Sequence, residues 1–273
     1  MSIVKKGIEL IVFSNLWIAT SASGLTLNTY LLLGKQVNLL VVLLVFLATF
    51  SIYNLQRLIK HHFQNKNYSK RHHWILKHIK VLILLVAISS LGSVFLFFKV
   101  YSFQYFLYLL PFSIVSVLYG VTLFSENKSL RDLPFTKIFL IAITWAVTSV
   151  VLPFIELDLA FNVLFVQLFL FNFLFMLAIT IPFDIRDIKL DSESTKTLPQ
   201  YLGIEKSISL SIWLLSACLI LAIVSFFTIS QILPLVFALV LVSKSKVEQP
   251  ELFYSGLIDG LALLFPFFGY LIG

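Results

Sequence analysis

Long apolar runs separated by short polar stretches dominate the pattern of hydrophobic and polar positions along this chain. A helix that crosses a membrane needs about 20 consecutive, mainly apolar residues, and the runs predict nine such helices. The predicted spans cover roughly residues 8–33, 37–56, 81–98, 102–124, 135–155, 160–182, 207–229, 231–243 and 252–272. The pattern therefore predicts an all-α, polytopic membrane protein whose single domain occupies residues 1–273.

Composition supports this prediction and excludes a soluble domain. Hydrophobic residues make up 59% of the chain and charged residues only 12%, whereas a soluble domain carries about 25% charged residues. The net charge of +7 does not indicate nucleic-acid binding, because the basic residues are distributed as membrane topology requires. Cys218 is the only cysteine, so the chain cannot form an internal disulfide.

The distribution of Lys and Arg predicts the orientation. Of the 20 basic residues, 18 fall in the N-terminal segment and in the loops after spans 2, 4, 6 and 8, and only Lys35 and Lys99 fall on the opposite face. The positive-inside rule then places the N-terminus in the cytoplasm and the C-terminus outside. We expect a multi-pass protein of a bacterial cytoplasmic membrane. The two longest cytoplasmic loops, at about residues 57–80 and 184–206, are candidates for functional elements.

Three aspartates at the end of the sixth span carry the candidate chemistry. Asp184, Asp187 and Asp191 stand at spacings of three and four, so a helix would place them on one face. Like charges so close together repel one another unless a cation lies between them. Carboxylates without nearby sulfur or imidazole suit Mg²⁺. The alternative is a solvated loop at a helix end, where Asp and Lys are common.

The residues that follow these aspartates resemble a known family motif. The order D-x-x-D-x-x-x-D, then KTLP at 196–199 and Gly203, is similar to the second aspartate motif of the UbiA superfamily of intramembrane prenyltransferases. The segments LRDLP at 130–134 and YSGLIDG at 254–260 resemble that family too, as do Lys137 and Trp145. The resemblance extends over essentially the whole chain.

This resemblance implies both a fold and an activity. The fold would be a helical bundle around a central cavity that opens toward lipid, with cytoplasmic cap loops. Mg²⁺ held by two aspartate motifs would bind a prenyl diphosphate and promote its ionisation. The polyprenyl group would then pass to a hydrophobic acceptor, either aromatic or lipid, within the membrane.

The first aspartate motif departs from the family. Members carry N-x-x-x-D-x-x-x-D where the second span meets its loop, but this chain has Asn54 followed by Leu58 and His62. No Asp or Glu occurs between Leu10 and Ser125. The chain therefore lacks half of the expected metal ligands, and the alternative is a catalytically inactive, UbiA-like lipid-binding or accessory protein.

Cations near this altered motif could bind a diphosphate instead. Arg57 shares a helix face with Asn54, and an arginine fork suits bidentate contact with phosphate. The alternative is a basic segment that meets anionic lipid headgroups, which is our expectation for Lys66, Lys70, Arg71 and Lys77. The predicted diphosphate-binding residues are Asn54, Arg57, Lys60, Lys128, Arg131 and Lys196, and the predicted catalytic and metal-binding residues are Asp184, Asp187 and Asp191.

Two further carboxylates, Glu9 and Asp259, lie inside predicted spans. Ionisable groups within a membrane are costly and are functional candidates by default. Glu9 lies close enough to the inner edge to reach headgroups. For Asp259 we expect a structural hydrogen bond to another span, and a coupling site in a transporter is a third, less favoured function.

Overall fold

The computed structural model describes residues 3–63, 70–118, 136–189, 197–225 and 228–272. Every regular element in these ranges is helical, and none of them is a strand. Two π-helical segments, Val147–Val151 and Phe253–Ile258, lead directly into α-helices. The α-helices are α1 Ile3–Phe13, α2 Leu16–Leu32, α3 Leu39–Phe63, α4 Lys70–Lys77, α5 Ile79–Val100, α6 Phe103–Leu118, α7 Thr136–Ala146, α8 Leu152–Glu156, α9 Val163–Asp187, α10 Leu198–Leu202, α11 Ile204–Ser225, α12 Ile229–Ser243 and α13 Asp259–Ile272.

Six of the described helices are long and apolar enough to cross a membrane, and a seventh span results if the bent pair α1 and α2 is counted as one. Two more helices, at Phe103–Ile114 and Ile229–Ser243, are apolar but shorter. These helices indicate a multi-pass membrane protein. The six long helices are Leu39–Ile59, Ile79–Val100, Thr136–Glu156, Val163–Asp187, Ile204–Ser225 and Phe253–Ile272.

Each end of these six helices lies within five residues of the predicted boundary, but the first predicted span, 8–33, is not one straight helix. The chain bends by 66° between α1 and α2. Asn15 lies at this break in the left-handed region, with φ 63°. Asparagine tolerates that conformation better than most residues, so it can separate two helices that hydropathy alone joins. The predicted span 102–124 continues past α6 into residues outside the described ranges.

Six elements pack in a closed ring. α2 contacts α13, and the order continues through α12, α11, α9 and α7, whose π segment Val147–Val151 returns to α2. α3 packs against α2 from the outside of this ring, and α5 packs against α3. Phe265 meets Phe171 and Phe175 edge to face inside the core, at centroid distances of 5.6 and 4.9 Å. The ring brings the start of α7, the end of α9 and the start of α13 close to one another.

Small residues bring α2 and the last helix into close contact. A Cβ on Gly24 would stand 2.8 Å from Leu263 Cδ2, and a Cβ on Gly260 would stand 2.9 Å from the Trp17 ring. Close approach at small residues is a common mode of helix packing in membranes. Trp17 Nε1 also donates to the Gly256 carbonyl at 2.7 Å, so this carbonyl of the π segment has a hydrogen-bond partner on α2. These contacts fix the start of α13 beside the break between α1 and α2.

Candidate functional site

Several helix termini meet at one end of the bundle, which we call the site end. They are the break between α1 and α2, the last part of α3, the short helix α4, the start of α7, the end of α9 and the π segment before α13. Buried charged and amide side chains lie among these termini. Charges buried within an apolar bundle require ion-pair or hydrogen-bond partners, so the contacts of these side chains define the site.

Asp184 forms an ion pair with Lys137 at the centre of this end. The Lys137 ammonium donates to Asp184 Oδ1. Only 2% of Asp184 and 7% of Lys137 is exposed, so both charges are removed from water. Lys137 stands in the first turn of α7, and Asp184 stands in the last turn of α9, so the pair joins two neighbouring helices of the ring.

Asp187, one turn further along α9, is paired differently. Arg186 holds both of its carboxylate oxygens, with Nε to Oδ1 at 2.7 Å and Nη2 to Oδ2 at 3.0 Å. The Arg186 guanidinium also stacks over the Phe183 and Tyr254 rings, at 5.2 and 5.6 Å from their centroids. The Arg186 side chain is 26% exposed and that of Asp187 is 14% exposed, so this pair is more accessible than Asp184 and Lys137.

Asn54 belongs to a buried amide network. Its Nδ2 donates to the carbonyls of Ser14 and Phe50, at 3.0 and 2.9 Å, and its Oδ1 accepts from Asn15 Nδ2 at 2.9 Å. Both oxygens that Nδ2 contacts belong to the backbone, so the amide ties α3 to the break between α1 and α2. The side chain that aligns with the first family motif therefore makes structural contacts in this chain.

Arg71 on α4 completes this network. Its Nη2 donates to Asn15 Oδ1 at 2.6 Å and to the Val12 carbonyl at 3.1 Å, and its Nη1 donates to Ser255 Oγ and Glu251 Oε1, at 3.3 and 3.4 Å. Burial lowers the pKa of this guanidinium from its ordinary value, and the Glu251 carboxylate opposes that shift. An arginine nevertheless stays charged at neutral pH. Arg71 Nε has no hydrogen-bond partner among the described residues.

Asp259 begins α13, directly after the π segment that Arg71 and Arg186 contact at Ser255 and Tyr254. It is half-buried in the first turn of α13, and the charges of Arg57, Arg71 and Arg186 all act on it. Arg57 and Asp259 also act on Tyr53, whose hydroxyl accepts from Trp145 Nε1 at 3.1 Å.

The remaining predicted site residues lie outside what the structure describes. These are the Lys60 side chain and residues Lys128, Arg131, Asp191 and Lys196. Within the described ranges, no group of three or more His, Cys, Asp and Glu residues could hold a metal ion. Asp184 and Asp187 have the oxygen ligands that Mg²⁺ prefers. Each is already paired with a cation of the chain, so the two do not fit a resident Mg²⁺ as they stand.

Sequence reasoning missed one important residue. Arg71 was expected at the lipid headgroups and is instead 5% exposed, and it donates to Asn15, a polar residue within an apolar run. The position of Asn15 inside a span was the available signal. Glu9, which was expected close to the headgroups, accepts from Lys70 Nζ at 2.5 Å, and the Lys70 side chain is 60% exposed. Nothing in the sequence near residue 71 distinguishes this arginine from the basic residues around it.

The opposite end of the bundle holds a simpler polar cluster. Glu156 accepts from the Tyr30 hydroxyl at 2.7 Å and from Asn38 Nδ2 at 3.0 Å. Tyr101 donates to the Leu152 carbonyl at 3.0 Å, and desolvation raises the pKa of this hydroxyl. These described partners of Glu156 are neutral donors, whereas Asp184 and Asp187 at the site end are each paired with a cation.

Comparison with known proteins identifies no family for this chain. No protein-family model, curated protein or solved structure matches the chain. The UbiA relationship therefore depends on the residues of this sequence alone.

Proposed function

We propose that this chain is a UbiA-like prenyltransferase, which moves a polyprenyl group from a prenyl diphosphate to a hydrophobic acceptor, aromatic or lipid, within the membrane. One observation carries the proposal. Arg71 and Arg186 contact neighbouring residues of one π segment, Ser255 and Tyr254, at the end of an apolar bundle where the α9 carboxylates lie. Guanidinium groups suit phosphate oxygens, and an apolar bundle suits a prenyl chain.

The proposed chemistry uses these cations. When the bond to the allylic carbon breaks, the leaving diphosphate gains negative charge at its bridging oxygen. Arg186 could exchange its bidentate contact with Asp187 for a contact with that diphosphate, because the pair is partly exposed. Positive groups placed there stabilise the transition state more than the ground state. The Phe183 and Tyr254 rings beside Arg186 would limit the access of water to the carbocation.

Topology is part of the same proposal. We propose nine spans, with α6 and α12 as the two short ones, and cytoplasmic cap loops that include α4 and α10. The N-terminus would then be cytoplasmic, the C-terminus outside, and the site end on the cytoplasmic face. Single cysteines placed at Lys189 and Lys99 in a Cys218→Ser background test this arrangement. A membrane-impermeant maleimide applied to intact cells should label position 99 and spare position 189.

Release of diphosphate is the direct test of the enzyme. The purified protein would be incubated in detergent with radiolabelled geranylgeranyl diphosphate or longer diphosphates, with and without Mg²⁺. We expect inorganic diphosphate to be released, and we expect Asp187→Ala to abolish release because it removes the carboxylate that positions the Arg186 fork. Lys189→Ala is the matched control, since Lys189 follows α9 closely and forms an exposed pair with Glu248.

A non-catalytic relative is the second candidate. Leu58 and His62 occupy the positions where the family has its first two carboxylates, and the chain itself supplies cations to Asp184 and Asp187. Such a protein would bind the prenyl diphosphate without releasing inorganic diphosphate. Binding without release in the same assay would favour this candidate, and the absence of both would contradict the proposal as a whole.

A further inference from the structure

The ion pair between Lys137 and Asp184 engages a carboxylate that the sequence analysis predicts as a metal ligand. Asp184 heads the aspartate series on α9, and its carboxylate is in direct contact with the Lys137 ammonium. Both side chains are buried, at 9% and 3% side-chain exposure. A carboxylate in such surroundings needs a counter-charge, and here the chain itself supplies it.

A divalent ion that binds Asp184 would have to share this carboxylate with the buried ammonium or displace the ammonium. Mg²⁺ requires near-octahedral oxygen coordination and usually takes one or two carboxylates together with water or phosphate oxygens. Both oxygens of Asp187, the nearest described carboxylate along α9, are engaged by Arg186. The displaced ammonium would remain tethered to α7 and buried close to the incoming ion, where like charges repel strongly.

The ion pair of Lys189 and Glu248 is a contact that solvent can exchange, in contrast to the buried pair of Lys137 and Asp184. Lys189 and Glu248 approach to 3.7 Å, and their side chains are 71% and 87% exposed. Water and salt can replace either partner of such a pair at little cost. The pair of Lys137 and Asp184 has neither the exposure nor the separation that would permit this replacement.

We propose that Lys137 is a built-in counter-ion that takes the place of a divalent metal at Asp184, so that the protein without substrate does not take up Mg²⁺ there. The inference rests on the proposed function only in assigning Asp184 to the diphosphate site. It makes Lys137 a positioning residue that determines which cation Asp184 contacts.

Metal binding without any substrate tests this inference. Mn²⁺, as a paramagnetic substitute for Mg²⁺, would be titrated into the purified detergent-solubilised protein, and the EPR signal of free Mn²⁺ would report binding. We expect the wild type to bind no more Mn²⁺ than Asp184→Asn does. We expect Lys137→Met to gain one Mn²⁺ site and Lys137→Met/Asp184→Asn to lose it again. Lys137→Arg keeps the positive charge and should behave like the wild type.

Two outcomes would overturn the inference. The first is Mn²⁺ binding by the wild type that disappears in Asp184→Asn, a comparison that stays decisive if Lys137→Met does not fold. The second is a folded Lys137→Met variant that gains no site. Neither result depends on diphosphate release, so failure of this inference can be distinguished from failure of the proposed activity.

Discussion

The ends of α3 and α9 are the two positions where the UbiA resemblance predicts aspartate motifs. The buried polar side chains at these two ends have different kinds of partner. At the α3 end, Asn54 is a neutral amide whose hydrogen bonds go to Asn15 and to backbone carbonyls. At the α9 end, Asp184 and Asp187 are each neutralised by a cation of the chain. The polar group at the α3 end therefore joins helices through hydrogen bonds, while the carboxylates at the α9 end are held in ion pairs.

The largest expected effect comes from breaking the buried pair at the α9 end. Lys137→Met should lower the free energy of unfolding by about 3–5 kcal/mol, because it leaves the Asp184 carboxylate buried without its counter-charge. SDS titration in mixed micelles, followed by circular dichroism, measures this change. Lys137→Met/Asp184→Asn should recover most of the loss.

The exposed pair of Lys189 and Glu248 provides the control for that measurement. Lys189→Met should change the free energy of unfolding by no more than about 0.5 kcal/mol. An equal loss at positions 137 and 189 would show that burial does not distinguish the two pairs.

The second-largest expected effect concerns Arg71, the charged residue that contacts the network of Asn15 and Asn54 at the α3 end. Arg71→Met should lower the free energy of unfolding by about 2–4 kcal/mol, because Asn15 Oδ1 and the Val12 carbonyl would lose a charged donor. Thermal unfolding in detergent checks the direction. Lys77→Met, at an exposed position of the same helix, should have little effect. A stable Arg71→Met variant would indicate that α4 does not hold this end together.

A smaller loss is expected when the α3 amide becomes an acid. Asn54→Asp should cost about 1–3 kcal/mol, because a carboxylate cannot donate to the Ser14 and Phe50 carbonyls. The same unfolding titration measures it, with Gln104→Glu as an equivalent change at an exposed position. If Asn54→Asp were as stable as the wild type, the α3 end would not depend on a neutral amide, and the contrast with α9 would disappear.

The smallest expected effect concerns the ion pair of Arg186 and Asp187, which is more accessible than that of Lys137 and Asp184. Arg186→Lys should cost about 0.5–1 kcal/mol, because an ammonium keeps the charge beside Asp187 but loses the bidentate geometry. Unfolding titrations run in parallel with Lys137→Met would rank the two pairs. A greater loss for Arg186→Lys than for Lys137→Met would reverse the order that burial predicts.

Much of the fold could be predicted from the sequence, because a bilayer imposes a simple requirement. About 20 apolar residues in succession must form a helix whose backbone groups bond internally. The helices from α3 to α13 that pass this test agree with the predicted spans. The break at Asn15 could not be predicted in this way, because hydropathy averages over a residue whose local conformation ends a helix.

The candidate site was only partly predictable for a different reason. Helical periodicity places Asp184 and Asp187 on neighbouring positions of one helix face, and the sequence therefore identified them as a unit. Their partners come from elsewhere, since Lys137 lies 47 residues before Asp184 and Arg71 lies 56 residues after Asn15. Residues so distant in the chain come together only when α4, α7 and the π segment before α13 meet at the site end.

The sequence by itself determined that this chain is helical and apolar, where most of its long helices lie, and that carboxylates follow the apolar run of α9. Hydropathy and helical spacing are local properties, so a single sequence contains them in full. Tertiary structure alone decided which cation neutralises each carboxylate and which basic residue of the α4 region is buried. Those outcomes depend on desolvation, and desolvation is set by how neighbouring helices pack.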